Sequence, residues 1–243
     1  MKAICHKLLE SLADLCWPPV CAVCPRALPL APAGWSGCFC PACLATVELL
    51  PAAICPVCGR PFYHSAGHLC GDCQADPPPF QTARAAALYQ GAVAISIGRL
   101  KYHGDLTQTR ALAGLATAIP EAAAWDVIVP IPLSSRKLAA RGFNQALVLA
   151  RAAFPGRPLE PRLLSRPLEA ELPQAALTRG QRRRAIRGSF RASDSVRGAR
   201  VLLFDDVITT GATAAEAART LLAAGANAVH LAAVAMTPRD SWR

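Results

Sequence analysis

Residues 201–226 read VLLFDDVITTGATAAEAARTLLAAGA, and the order of residue types in this stretch decides the fold. An apolar run, Val201 to Phe204, leads into two adjacent carboxylates, Asp205 and Asp206. Val207 and Ile208 follow, then Thr209, Thr210, Gly211, Ala212 and Thr213, and then an Ala/Leu-rich stretch that ends at Gly225. The apolar run reads as a buried strand and 212–224 as a helix, with Gly225 suited to its C-cap. Neighbouring side chains on a strand face opposite sides, so the two acids are expected to serve one ligand only if the strand ends as they begin. The first amides of the following helix have no partner within it, Gly211 lets backbone approach a ligand, and the threonines add hydroxyls, which makes an anion cradle. The carboxylates suit hydrogen bonds from sugar hydroxyls or a hydrated Mg²⁺. A sugar phosphate answers to both halves of the stretch. A simple helix cap needs only one polar residue, and the chain has neither GxxxxGK[ST] nor GxGxxG, which weighs against a nucleoside-triphosphate site.

Outward from this stretch, DVIVPIP at 126–132, ARVLLFD at 199–205 and AVHLAAVAM at 228–236 read as buried strands, with helices expected at 136–153 and 212–224. Strands alternating with helices imply an α/β fold with a parallel sheet whose ligands sit beyond the strands' C-terminal ends. The prolines of ADPPPFQ, 75–81, cannot continue a helix or a central strand, so this segment reads as a stiff linker. Residues 80–243 are expected to form one domain and residues 1–79 another.

The N-terminal part carries different chemistry. All eleven cysteines precede residue 74, and eight form four CxxC pairs: Cys21 and Cys24, Cys40 and Cys43, Cys55 and Cys58, Cys70 and Cys73. A CxxC turn offers two thiolates to one ion, and two such turns complete a closed tetrahedral zinc site. Four pairs make two structural zinc sites. Sequential grouping closes the shortest loops, giving Cys21, Cys24, Cys40 and Cys43 one ion and Cys55, Cys58, Cys70 and Cys73 the other. Cys38 competes with Cys40 in CFCPAC, Cys5 and Cys16 lack partner spacing, and His64 and His68 are backup ligands at most. Repeated pairs and the absence of a secretory signal weigh against a redox site and disulfides.

Residues 1–16 place Ile4, Leu8, Leu12 and Leu15 at helical spacing, while His6, Lys7, Glu10 and Asp14 interrupt the apolar core a signal peptide needs. No apolar run approaches the roughly 20 residues that span a bilayer. A soluble, cytoplasmic chain without membrane insertion is expected. The net charge of +10 is almost all arginine and favours phosphate-bearing partners. It clusters in RGQRRRAIRGSFR, where Arg179, Arg182, Arg183, Arg184, Arg187 and Arg191 suggest an anion-facing loop able to track a single-stranded phosphate backbone. Aromatics make up only 6% of the chain, so sequence-specific base reading is not expected.

The apolar run followed by DDVITTGAT resembles the 5-phosphoribosyl-1-pyrophosphate (PRPP) motif of type I phosphoribosyltransferases. With CWPPVCAVC, the CxxC series, LKYHGD at 100–105, VPIPLSSRKLAARGFNQA at 129–146 and QAALTRGQRRRAIRGSF at 174–190, nearly the whole chain resembles the ComF competence-protein family. The resemblance implies a double zinc ribbon followed by a phosphoribosyltransferase fold. By the family pattern Asp205 and Asp206 hold the ribose hydroxyls, residues 207–213 hold the 5-phosphate, and Mg²⁺ accompanies PRPP. Arg136, Lys137 and Arg141 are candidates for the pyrophosphate, with Lys101 as a second contact. The resemblance also implies a role in natural transformation or DNA use, with single-stranded DNA and other competence proteins as partners. Ala185 stands where the family usually has Asn after its arginine cluster. No residue is singled out as a general base, and no acceptor is named.

Overall fold

The computed structural model describes residues 19–29, 34–63, 67–119, 124–167 and 186–238. Six strands are present among them: β1 (Thr82–Leu88), β2 (Val127–Pro130), β3 (Leu164–Ser165), β4 (Arg191–Ala192), β5 (Arg200–Ile208) and β6 (Ala228–Met236). The α-helices are α1 (Pro41–Leu44), α2 (Gly71–Ala75), α3 (Gly91–His103), α4 (Gln108–Ala116), α5 (Ser135–Arg141), α6 (Gln145–Ala153) and α7 (Ala212–Ala223). β1, β6, β5 and β2 lie side by side in that order, all parallel, and β3 and β4 form a separate short antiparallel pair.

Every residue of β6 is buried, as a strand covered on both faces requires. On one face α7, Ile186 and Phe190 pack on Val201, Leu203, Val229 and Leu231. On the other, residues of α3, α4 and α6 pack on Leu202, Phe204, Ala232 and Val234.

Two expectations change. β5 does not stop at the acids but runs through Asp205 and Asp206 to Ile208. β6 continues beside it, pairing Asp205 with Ala233, Val207 with Ala235 and Ile208 with Met236, so the backbone there stays in the ladder. The helix expected over 136–153 is two helices. Gly142, at φ +77°, ends α5, and the Asn144 side chain starts α6 by accepting from the N–H groups of Ala146 (2.9 Å) and Leu147 (3.4 Å). The strand TARAAAL at 82–88, whose alanines carry little β-propensity, takes its form from pairing with β6.

The ribbons are seated on this sheet domain at different places. Arg99 of α3 donates to the carbonyls of Ala22 (2.7 Å) and Val23 (2.8 Å) in the first. The second lies on β1, where Ala83 N–H donates to Val57 O (2.6 Å) and Arg84 donates to Pro56 O (3.0 Å). Between them the chain at 48–50 runs antiparallel along β1, bonding Leu50 N–H to Ala86 O and Leu88 N–H to Glu48 O, which covers the edge of the sheet. Among the described residues no helix is long and apolar enough to cross a membrane.

Candidate functional site

Two four-cysteine sets come together as sequential grouping requires: Cys21, Cys24, Cys40 and Cys43, and Cys55, Cys58, Cys70 and Cys73, with the sulfurs of each set within 4.8 Å of one another. Four Zn–S bonds of about 2.3 Å in a tetrahedron put sulfurs roughly 3.8 Å apart; Cys24 and Cys40 lie 3.7 Å apart and Cys58 and Cys70 3.5 Å. Both sets therefore fit zinc. Burial alone would push the Cys21 and Cys55 thiols up. Backbone N–H groups, of Cys40 and Val23 around Cys21 and of Cys70 and Cys58 around Cys55, outweigh it and bring them down to about 6 and about 7. Such thiols present thiolate to a metal at neutral pH. Cys38 is outside the first set, its sulfur on Gly34 O at 3.8 Å. His68 stacks on Phe62 with ring centroids 4.1 Å apart and joins neither set. Cys5, Cys16, His64 and the helix expected near the N-terminus lie outside the described residues.

The second centre of interest is the C-terminal end of β5. Asp206 is 2% exposed, and its Oδ2 lies 2.5 Å from Lys101 Nζ on the last turn of α3. Asp205, half-buried, takes the Asp206 N–H on its Oδ1 at 2.8 Å. Burial and the neighbouring Asp206 charge push the Asp205 carboxyl well above the usual carboxylate range, and Lys101 offsets this only in part. A bound cation would relieve that cost, so the pair suits a hydrated Mg²⁺.

Beyond β5 the chain turns through Thr209 and Thr210 to Gly211, whose φ of +75° places it in the left-handed region at the N-cap of α7. Thr210 Oγ1 accepts from Ala212 N–H at 3.4 Å. Val207, Ile208 and Ala212 are buried, so of residues 207–213 these three can offer a ligand only main chain, and the hydroxyls come from Thr209, Thr210 and Thr213.

Cations gather around the acids from separate elements. Ser134 caps α5 by accepting from Lys137 N–H at 3.4 Å, which fixes the helix carrying Arg136, Lys137 and Arg141. Lys137 lies on the exposed side of α5, yet partial desolvation and the positive charges of Arg166, Arg141 and Lys101 lower its pKa, with Asp205 pulling the other way. The Arg141 guanidinium carbon is 5.7 Å from the centre of the Tyr102 ring, and Tyr102 is 73% exposed. Arg166, just past β3 and 5.5 Å from the Phe190 ring centre, is absent from the sequence-level assignment; SRPL carries no motif that marks it. Glu216 of α7 is a second omission. Buried in the helix, it accepts from Gly188 N–H at 2.7 Å and pairs with Arg219, so it anchors the start of the segment after residue 185.

Of the arginine cluster, Arg187 and Arg191 are exposed. Arg179, Arg182, Arg183, Arg184 and Ala185 lie outside the described residues. Alongside the 209–212 loop is a cavity of about 430 Å³, bounded on one side by the loop and on the other by the second ribbon.

Residues 12–74 match the double zinc ribbon domain and residues 109–242 the phosphoribosyl transferase domain. The chain is 32% identical over 229 residues to the DNA utilization protein YhgH of Salmonella typhi, covering 88% of this chain and 95% of that one. It is 30% identical over 195 residues to the competence protein ComFC of Bacillus subtilis, covering 76% and 78%. Glutamine PRPP amidotransferase from B. subtilis aligns with 49% of this chain and 24% of its own at 26% identity, with a TM-score of 0.33.

Proposed function

The chain belongs to the phosphoribosyl transferase domain family, in the group of ComF-type competence and DNA-utilization proteins with a double zinc ribbon, and on that premise we propose that it binds PRPP with Mg²⁺ at the end of β5 and transfers the phosphoribosyl group to an acceptor. The observation that carries this reading is the convergence there of two acids, a left-handed glycine opening a helix, and four cations from three separate segments.

In this reading the backbone N–H groups and hydroxyls of residues 209–213 take the 5-phosphate at the positive end of α7. Asp205 and Asp206 take the ribose hydroxyls. Mg²⁺, when bound, neutralises the charge of the diphosphate. Arg136, Lys137 and Arg141 hold the pyrophosphate, and Arg166 joins them. Lys101 has a first duty of pairing with and orienting buried Asp206, and reaches the pyrophosphate as a second contact. As the C1–O bond breaks, its electron pair leaves with pyrophosphate, and these fixed cations meet the developing negative charge while the acceptor's lone pair forms the new bond to C1. The relatives' names, DNA utilization and competence, support a role for it in DNA uptake or use, carried out in our reading in the cytoplasm.

A second reading, a PRPP-sensing module that binds single-stranded DNA beside other competence proteins, is favoured by the exposed Tyr102 ring next to Arg141 and by exposed Arg187 and Arg191. Thermal unfolding separates the claims. PRPP with Mg²⁺ is expected to raise the melting temperature by mass action, and Asp205→Asn to abolish the rise. An unchanged rise in that variant removes the site. Release of pyrophosphate across a panel of bases and amines tests catalysis; a rise in melting temperature without any release leaves the sensing module.

A further inference from the structure

We propose that the cavity between the second ribbon and the 209–212 loop is the seat of the chain's own segment 239–243, with the Trp242 indole on its apolar wall and Arg239 and Arg243 against its acidic one. Seated there, the segment straps the second ribbon to the end of β5. This assignment does not depend on what the loop itself binds.

β6 delivers the segment to the cavity. Met236 is one of the lining residues, and Thr237 N–H donates to the carbonyl of another, Ile208, at 2.9 Å, so the chain leaves the sheet at the cavity's edge. Residues 239–243 lie outside the described residues and read Arg239, Asp240, Ser241, Trp242 and Arg243. Trp242 follows Pro238 by four residues, a reach of up to about 14 Å in extended chain.

Ribbon and sheet meet closely beside this gap. A Cβ on Gly59 would stand 2.4 Å from Ala83 O and 3.4 Å from the Met236 methyl, so the contact is as close as glycine permits. Toward the loop the seam widens to about 430 Å³, within the range of about 300–1,000 Å³ that holds a small molecule and ample for one indole.

Each wall matches a residue type of the segment. Pro78, Phe80, Ala215 and Met236 make an apolar surface, and Trp242 is the one large apolar side chain of 239–243. Burying an aromatic side chain of this kind removes about 150–250 Å² from water. On the ribbon side, among the described residues that line the cavity, Asp72 and Asp76 stand with a single guanidinium, that of Arg60, whose Nη2 is 2.7 Å from Asp72 Oδ2. With zinc bound, four thiolates around a divalent ion make the side carrying Cys58 and Cys73 more negative still. A free anion is repelled from such a wall, whereas Arg239 and Arg243 complement it, and the segment stays net positive with Asp240 counted.

The test uses the full-length, zinc-loaded protein. Subtracting the emission of Trp242→Phe from that of the wild type isolates Trp242 from Trp17, Trp35 and Trp125. The Trp242 signal is expected to be blue-shifted and to be quenched by acrylamide several-fold more slowly than a free indole. Trp242→Ala is expected to speed hydrogen exchange at the amides of Gly59 and Ala83, which bond Cys55 O and Val57 O, about tenfold. Exchange at Cys21 and Ala22 in the first ribbon, and zinc content, should not change. Ala215→Phe fills the cavity from α7 and is expected to make Trp242 as quenchable as a free indole. Asp76→Lys, at an exposed position outside the core, should raise quenching in the same direction even if Ala215→Phe fails to fold. A wild-type Trp242 as accessible as a free indole overturns the proposal, as does shielding that neither cavity variant alters. Unchanged exchange at Gly59 and Ala83 in Trp242→Ala overturns the strap. Shielding lost on dilution means that a neighbouring copy supplies the segment, which overturns the assignment to the same chain.

Discussion

The two zinc ribbons share four-cysteine chemistry and differ in what surrounds it. The first shares an apolar cluster with the helices: Leu28 and Phe39 pack with Ala92 of α3 and Ala111 of α4, and Arg99 clamps two of its carbonyls. The second has a cluster of its own, made of Cys55, Cys70 and Cys73 with Val57, Cys58 and Phe62 against it, and meets the sheet mainly through backbone. Apolar burial therefore supports the first ribbon where metal and main-chain contact support the second. The weaker seat is the one beside the 209–212 loop, so loss of metal there should reach a ligand held by that loop, and loss in the first should not.

The largest effect tests this difference directly. Cys55→Ser is expected to halve zinc content, unfold the second ribbon and reduce the PRPP-dependent rise in melting temperature, since metal supplies most of the folding free energy of so small a unit. Cys21→Ser should lower zinc equally but leave the PRPP response intact; metal analysis with thermal unfolding reads both, and equal loss of response in the two variants breaks the contrast.

The seam glycines offer the next test. Gly59→Ala places a Cβ against Ala83 O at φ +72° and is expected to cost about 2–4 kcal/mol and loosen the second ribbon, read by denaturant unfolding. Gly114→Ala meets Trp35 Cβ at 2.9 Å in the first ribbon's seam, but Gly114 is helical, and the gain in helix propensity of roughly 1 kcal/mol offsets part of the clash. Arg99→Ala removes two hydrogen bonds from a guanidinium and is expected to destabilise by about 2–3 kcal/mol without altering the PRPP response.

Asp205→Asn has the smallest expected effect on stability, and the opposite sign. The native fold raises this carboxyl's pKa, so the ionised form opposes folding above that pKa and the opposition is lost as pH falls through it. At neutral pH without ligand the variant should melt a few degrees higher than the wild type. The gap should close on acidification, when a proton neutralises the wild-type side chain, and thermal scans across pH check it. A gap that widens toward low pH contradicts the assignment.

Much of the site was legible because its determinants are local. The spacing within each CxxC pair limits the ligand sets, since a tetrahedral thiolate centre needs two such turns, and the strand, acids, threonines and glycine of 201–213 encode a strand-to-helix turn within a few residues of chain. The break of α5 from α6 was also written locally, in Gly142 followed by Asn144, but a continuous helical period across 136–153 masked it.

Tertiary structure decided what pairwise geometry between distant segments alone can fix. β5 continues through its acids because β6 extends beside it, and the alanines of β1 become a strand because an open sheet edge pairs with them. Lys101 meets Asp206, Arg166 joins the cations of α5, and Glu216 anchors Gly188, none of which a local pattern specifies. Turn chemistry and metal spacing are short-range and so survive in a linear sequence, whereas the placement of the second ribbon against the loop depends on packing between elements that only the folded chain brings together.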